Sequence, residues 1–260
     1  MSARWRHGAW IHRDSLLLPL ACLLMLPLLV QAQSSGRIDA GLFSSSGGDA
    51  TLPDGWQPLT FERISRHTGY SLVEDAGTVV IKAVSEQSAS GLTRAVSIAP
   101  REYPVIQWRW KVGNVLQKGD VTSKAGDDYP ARIYITFAFD PDRAGYLERL
   151  EYEAARLLLG PDVPYRAISY IWGSNSPAGT MVANSYTDRV MMFVVESGAG
   201  KLQQWVTEKR NVYEDYRKAF GDEPPMISGI AIMTDTDNTG ESAVAWYGDI
   251  VFMSGEGGPE

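Results

Sequence analysis

The chain has 260 residues, 44% hydrophobic and 21% charged, a balance that excludes a disordered or collagen-like polymer. With 24 basic and 31 acidic residues the net charge is −7, so no nucleic-acid partner is expected. A single cysteine rules out a disulfide framework and a thiolate zinc site.

In chain order, Arg4, Arg6 and Arg13 precede the apolar run Ser15–Val30, followed by Val30-Gln31-Ala32. A basic head, a short apolar centre and V-x-A predict a secretory signal peptide over residues 1–32, cut after Ala32. The run falls short of the roughly 20 residues a spanning helix needs and contains Pro19 and Pro27, so no stable membrane span is expected in the mature protein. The expected location is the periplasm or the exterior. Cleavage would remove Arg4, Arg6, Arg13 and Asp14, taking the net charge from −7 to −9. Cys22, His7 and His12 would leave as well, with His67 the one histidine retained. A Ser-His-Asp triad could then use only His67, and multi-histidine metal sites are excluded.

Residues 33–55 are rich in Ser and Gly and read as a flexible leader; residues 254–260 read as a loose tail. Between them, residues 56–253 suit one β domain. Val105–Val112 alternates Ile106, Trp108, Trp110 and Val112 against Gln107, Arg109 and Lys111. Ala131–Phe139 sets Ile133, Ile135, Phe137 and Phe139 against Arg132, Tyr134 and Thr136. Period-two patterns of this kind are half-buried strands. Further strands are predicted at Leu59–Ile64, Thr78–Val84, Leu92–Ile98, Ala167–Trp172, Val190–Glu196, Gln203–Arg210, Ile227–Thr234 and Ser242–Phe252. Two helices interrupt them. Arg143–Leu159 places Tyr146, Leu150, Ala154, Leu157 and Leu158 on one stripe. Val212–Phe220 has Asn211 and Glu214 at capping-box spacing and Gly221 at its end. Many short strands separated by Gly, Pro and Asp describe a mainly β, two-sheet β-sandwich with two short peripheral α-helices.

Candidate chemistry falls in four places. Asp235-Thr-Asp237-Asn238-Thr239-Gly240-Glu241 offers oxygen ligands at alternate positions before a glycine, as in the first half of a calcium loop, with Asp235 and Asp237 the metal candidates. Thr239 stands where a third carboxylate or amide is usual, Trp246 stands at the bidentate-Glu position, and the context is strand–loop–strand. The alternative is a hairpin turn whose Asp and Asn bond their own backbone. Gly126-Asp127-Asp128-Tyr129-Pro130 leads into the strand bearing Arg132 and Tyr134. Two adjacent carboxylates there offer a raised pKa for proton transfer, or else solvated turn residues with Asp128 pairing Arg132. If the WRWK and RIYIT strands are neighbours, Arg109, Lys111 and Arg132 converge beside Tyr134 and select an anionic group. Trp172 ends a strand before Gly173-Ser174-Asn175-Ser176-Pro177, so Trp172 and Asn175 suit contact with a sugar or another flat ligand, or else Trp172 is core. Trp108, Trp110 and Trp246 read as core, and Asp215 as a helix-face or cap charge.

WRWKV, GDDYPARIYITF, YIWG, WVTEKRNVYEDYRKAFG and IMTDTDNTG resemble an exported bacterial family labelled domain of unknown function 3047, from about Trp56 to Met253. The resemblance implies no established activity and transfers no catalytic residue. The strand order is similar to galactose-binding-like jelly rolls, which implies sugar binding by analogy alone. The expected function is a non-catalytic carbohydrate-binding module of the envelope, taking a glycan or another anionic small ligand, with calcium the candidate cofactor. One alternative is a glycoside hydrolase or lyase using Asp127, Asp128, Arg132 and Tyr134, its carboxylate pair drawn from Asp127 or Asp128 and Asp235, Asp237 or Glu208; the loop with Asp235, Asp237 and Asn238 could also contact a ligand directly. The other is a structural or protein-binding envelope protein.

Overall fold

Alternation decides which face of each strand is buried. In β6 (Val105–Val112), Ile106, Trp108, Trp110 and Val112 are buried while the residues between them are partly exposed. In β7 (Arg132–Phe137), Ile133, Ile135 and Phe137 enter the same apolar core. The computed structural model describes residues 36–47, 52–142, 144–159 and 164–255. By its contacts the chain divides into units 1–34 and 35–260, and all described residues belong to the second. The expected signal peptide, residues 1–32, lies outside the described residues, as do 256–260 of the tail.

The strands form a jelly-roll-like β-sandwich of two sheets. One has the order β11 (Val206–Asn211), β6, β13 (Ser242–Met253), β4 (Thr78–Glu86), β3 (Gly69–Asp75), with β1 (Arg37–Gly41) also paired to β13. The other runs β2 (Gln57–Leu59), β5 (Ala89–Ile98), β12 (Ile227–Asp235), β7, β8 (Arg166–Gly173), β10 (Thr187–Ser197), β9 (Met181–Asn184). Pairing is antiparallel except between β8 and β10. β6 and β7 therefore lie in different sheets. The expected convergence of Arg109, Lys111 and Arg132 does not occur, because alternation reports a face and not a neighbour.

Aromatic rings of the two sheets meet in the core. Trp108 stacks on Tyr170 with centroids 5.1 Å apart, and Trp110 lies 5.9 Å from Trp172. Trp246 does not join the core as expected. The register of β13 shifts between Tyr247 and Ile250, so Tyr247 and Ile250 both face inward while half-buried Trp246 faces outward. The same shift changes neighbours: β13 pairs with β4 up to Tyr247 and with β1 from Ile250. Thus residues 37–41, within the segment expected to be a loose leader, form a paired strand, and Phe43 just after it is buried against Trp56 at 5.2 Å.

α2 (Val212–Phe220) starts as predicted, with the Asn211 side chain accepting from the Glu214 N–H at 3.0 Å, and ends at Gly221 with φ of 75°. Its Tyr216 ring packs on Phe137 at 4.5 Å. Asp215 is no surface cap charge: it is buried, pairs with Arg210 and accepts from the Tyr170 hydroxyl at 2.8 Å. α1 (Tyr146–Leu159) also departs from expectation. Tyr146 is 75% exposed and Leu150 is exposed, while Tyr152, off the expected stripe, stacks on Phe139 at 4.1 Å.

Glu208 stands opposite Trp108 on the edge strand β11, and so faces the sandwich interior. Burial, then Glu196, pushes its carboxyl up to about 7, with the Trp110 indole and Lys201 pulling the other way. The folded state thus keeps a proton that the unfolded chain releases near 4.5. The resulting stability is full below that value and is lost as pH rises through 7. Because the group is half-buried, solvent screening limits the loss to about 1–2 kcal/mol. Glu208→Gln is expected to remove this dependence and be the more stable protein at pH 8, as measured by denaturant titration from pH 5 to 8.

Candidate functional site

The face of the seven-stranded sheet turned away from the core carries Arg132, Tyr134 and Thr136 of β7 and Asp235 of β12. Arg132 pairs in register with Met233, and Asp235 follows on the same face. The segment 126–130 folds over this face because Tyr129 joins Val121, Ile171, Met192 and Val194 in a small apolar cluster. Anchoring Tyr129 delivers Asp127 and Asp128 on its flank.

Each carboxylate has a defined seat. Asp128 accepts from the backbone N–H of Asn238 at 3.3 Å and of Thr239 at 2.6 Å. Asp127 accepts from the Tyr129 hydroxyl at 3.1 Å and from Asn184 Nδ2 at 3.0 Å. Asp235 accepts from the Tyr129 N–H at 3.4 Å and forms an ion pair with Arg132. The Arg132 guanidinium, 4% exposed, lies 5.1 Å from the Tyr129 ring centroid and 5.3 Å from that of Tyr134. Its Nε and Nη1 have no hydrogen-bond partner among the described residues.

Asp128, Asp235 and Asp237 each bring a carboxylate oxygen within 4.8 Å of the others. Four carboxylates, with Asp127, thus face one guanidinium. Burial holds Asp235 well above the usual carboxylate range, against the pull of Arg132 and with the repulsion of Asp128. Asp237 is raised by burial and then by Asp128. Burial lifts the Tyr134 phenol to about 12, so it stays neutral near pH 7. An oxygen cluster with excess negative charge suits a hard divalent cation, and carboxylate oxygens that accept one N–H retain a lone pair for ligation. Asp128, Asp235 and Asp237 are the residues that could hold it.

The loop after β12 sits on a buried hydroxyl layer. Ser85 Oγ meets Thr236 Oγ1 at 2.8 Å, and Thr234 Oγ1 donates to the Pro130 carbonyl at 2.9 Å. Gly240 takes φ of 71° and its N–H closes the turn on the Thr236 carbonyl at 3.0 Å. The loop is therefore held largely by distant partners, with Asp128 the principal one. At the open side stand half-buried Asp237 and exposed Asn238, whose Nδ2 donates to the Tyr186 hydroxyl at 2.9 Å. Tyr186 is 56% exposed, with Lys124 Nζ 5.0 Å from its ring centroid.

Asp127, Asp128, Arg132, Tyr134, Asp235, Asp237 and Asn238 are thus brought together. Three candidates are not. Trp172 is fully buried and its indole N–H donates to the Gly198 carbonyl at 3.1 Å, so it is core and cannot stack on a ligand. Arg109 lies on the outer face of the other sheet. Asn175 is exposed in the loop after β8, where its Nδ2 donates to the Gly119 carbonyl at 3.1 Å. Sequence reasoning missed Asn184 and Tyr186. Their one local signal is an Asn-Ser-Tyr turn, in which the Asn184 side chain accepts from the Tyr186 N–H at 3.0 Å.

The chain belongs to the family described as protein of unknown function DUF3047, whose model matches residues 54–251. No curated protein matches. Among solved structures it is similar to the family 30 carbohydrate-binding module of the cellulosomal cellulase Cel9D-Cel44B of Clostridium thermocellum, at 7% identity and a TM-score of 0.40, covering 85% of this chain and 99% of that one. The Emp47p carbohydrate recognition domain matches at 11% identity and TM-score 0.38, over 85% of this chain and 96% of that one. The glycoside hydrolase domain of Endo-D from Streptococcus pneumoniae R6 matches at 9% identity and TM-score 0.33, over 79% of this chain. This chain spans 22% of that chain's length.

Proposed function

We propose that the protein is an exported, non-catalytic carbohydrate-binding β-sandwich that takes a glycan at the open side of the aspartate cluster, with calcium held by Asp128, Asp235 and Asp237. Export rests on the N-terminal sequence pattern. The observation that carries the binding reading is the meeting of Asp237, Asn238 and the exposed Tyr186 ring above the buried carboxylates. An aromatic platform beside an amide and a cation serves the two chemistries of a sugar, its apolar face and its vicinal hydroxyls. Binding is favoured over turnover by the commitments of the carboxylates. A glycosidase needs one free acid and one free base flanking the bond. Here Asp128 is held by two backbone N–H groups and Asp235 by Arg132.

A glycan array of the mature protein with and without calcium tests this reading. Binding is expected to require calcium, to vanish in Asp237→Asn and to fall at least about tenfold in Tyr186→Ala, with no release of reducing sugar. Binding that survives both substitutions overturns the reading. Calcium at about 100 times its dissociation constant should stabilise the folded state by about 2.7 kcal/mol, raising Tm by roughly 5–10 °C in the wild type and not in Asp237→Asn.

A further inference from the structure

The outer face of the six-stranded sheet carries a row of cations and indoles on directly paired positions of adjacent strands. Lys82 of β4 pairs with Trp246 of β13, which pairs with Lys111 of β6. Trp205 precedes β11 by one residue, next to Lys111 in register. Lys111 Nζ is 4.4 Å from the Trp246 ring centroid and 5.4 Å from that of Trp205, and Lys82 Nζ is 5.8 Å from Trp246. The Arg109 guanidinium lies 4.6 Å from the Trp205 centroid. Its stem crosses β13 at Gly248, where any Cβ would come 2.5 Å from Arg109 Cγ and Nε. That glycine is the clearance that lets Arg109 lie flat against the sheet.

The charges are unevenly balanced. Lys111 pairs with Asp75, and Asp39 with Arg37 at 2.7 Å. Arg109 and Lys82 have no carboxylate partner among the described residues, and Lys209 shares the face through its pairing with Gln107. Exposed Glu86 also lies on this face, so Arg37, Lys82, Arg109, Lys111 and Lys209 stand against Asp39, Asp75 and Glu86, a local excess of positive charge on a chain of net charge −7. Lys82 of β4 and Arg109 of β6 are two strands apart, a separation of about 10 Å across the sheet.

We propose that this face binds an acidic polysaccharide, its carboxylate or sulfate groups engaging Arg109 and Lys82 and its sugar rings lying along Trp246 and Trp205. Cations set at regular lateral spacing on rigid strands match anionic groups repeated along an extended polymer. The two indoles are half-buried and do not protrude, which suits a chain lying on the face better than insertion into a bilayer. The surface is independent of the aspartate cluster, which occupies the other sheet.

Titration calorimetry of the full mature protein with polygalacturonate, dextran sulfate and neutral dextran, at low and at physiological salt, tests the proposal. Binding to a polyanion and not to dextran is expected, weakening as salt rises. Arg109→Gln should weaken it about tenfold, Arg109→Lys less, Trp205→Ala by a similar tenfold, and Asp237→Asn not at all. Near-UV circular dichroism on each variant establishes that the sandwich is intact, and Arg109→Lys keeps the test decisive if Trp205→Ala does not fold. Absence of binding to both polyanions overturns the proposal, as does binding unchanged in Arg109→Gln. Loss in Asp237→Asn, or preference for phosphatidylglycerol vesicles, also overturns it. Failure here leaves calcium-dependent binding at Asp237 untouched, so the two readings fall separately.

Discussion

Arg132→Leu is expected to cost about 3–5 kcal/mol, among the largest losses any single substitution in this fold should produce. The guanidinium pairs with Asp235, and both side chains are more than nine-tenths buried beside Asp128 and Asp237. Removing it leaves Asp235 facing Asp127, Asp128 and Asp237 in a site water scarcely reaches. Coulombic repulsion and desolvation then act in the same direction. Asp235→Asn should cost much less, since it removes a buried charge and some of that repulsion, while leaving Arg132 beside the other carboxylates. The measurement is urea denaturation of both variants without calcium. Equal losses would mean that the cluster behaves as ordinary surface charge. Calcium should rescue part of the Arg132→Leu loss, because the cation would restore positive charge at the same place.

Trp172→Ala is expected to lower stability by about 3–5 kcal/mol while leaving glycan affinity of the folded fraction unchanged. The ring is fully enclosed, packs against Trp110 at 5.9 Å, and spends its N–H on the Gly198 carbonyl. Truncation opens a cavity in the layer where the two sheets meet and orphans that carbonyl. Tyr186→Ala should give the opposite pair of results: stability within about 0.5 kcal/mol of wild type, because the ring is mostly in water, and binding weakened at least about tenfold. Melting curves set beside calorimetric titrations separate the two positions. Reduced affinity in Trp172→Ala at unchanged stability would reverse their assigned roles.

The alternation of β6 and β7 was legible, because burying one face of a strand leaves a local imprint of period two. So was the start of α2, since a cap and its recipient are three residues apart. Sheet membership leaves no such imprint, and Arg109 was grouped with Arg132 although their strands lie in opposite sheets. Trp246 was read as core because the register shift in β13 depends on its neighbours and not on its own residues. The acidic residues were picked out by type, but their meeting depends on contacts such as Asp128 to Thr239, 111 positions apart. Tyr186 was overlooked because exposure beside a distant amide is a tertiary property. β1 was missed for the same reason: RIDAG is short and sits among Ser and Gly, and its stabilising partner is the far end of the chain.

That last pairing bears on how the protein can be cut. The family match begins at residue 54, so a protein trimmed to residues 54–251 would lack β1 and Phe43. Ile250 and Val251 would then present bare N–H and C=O groups along an open strand border, and Trp56 would lose the ring that covers it. Open borders of this sort recruit other copies. Light scattering is expected to show self-association of the trimmed protein, and a start at residue 35 should avoid it.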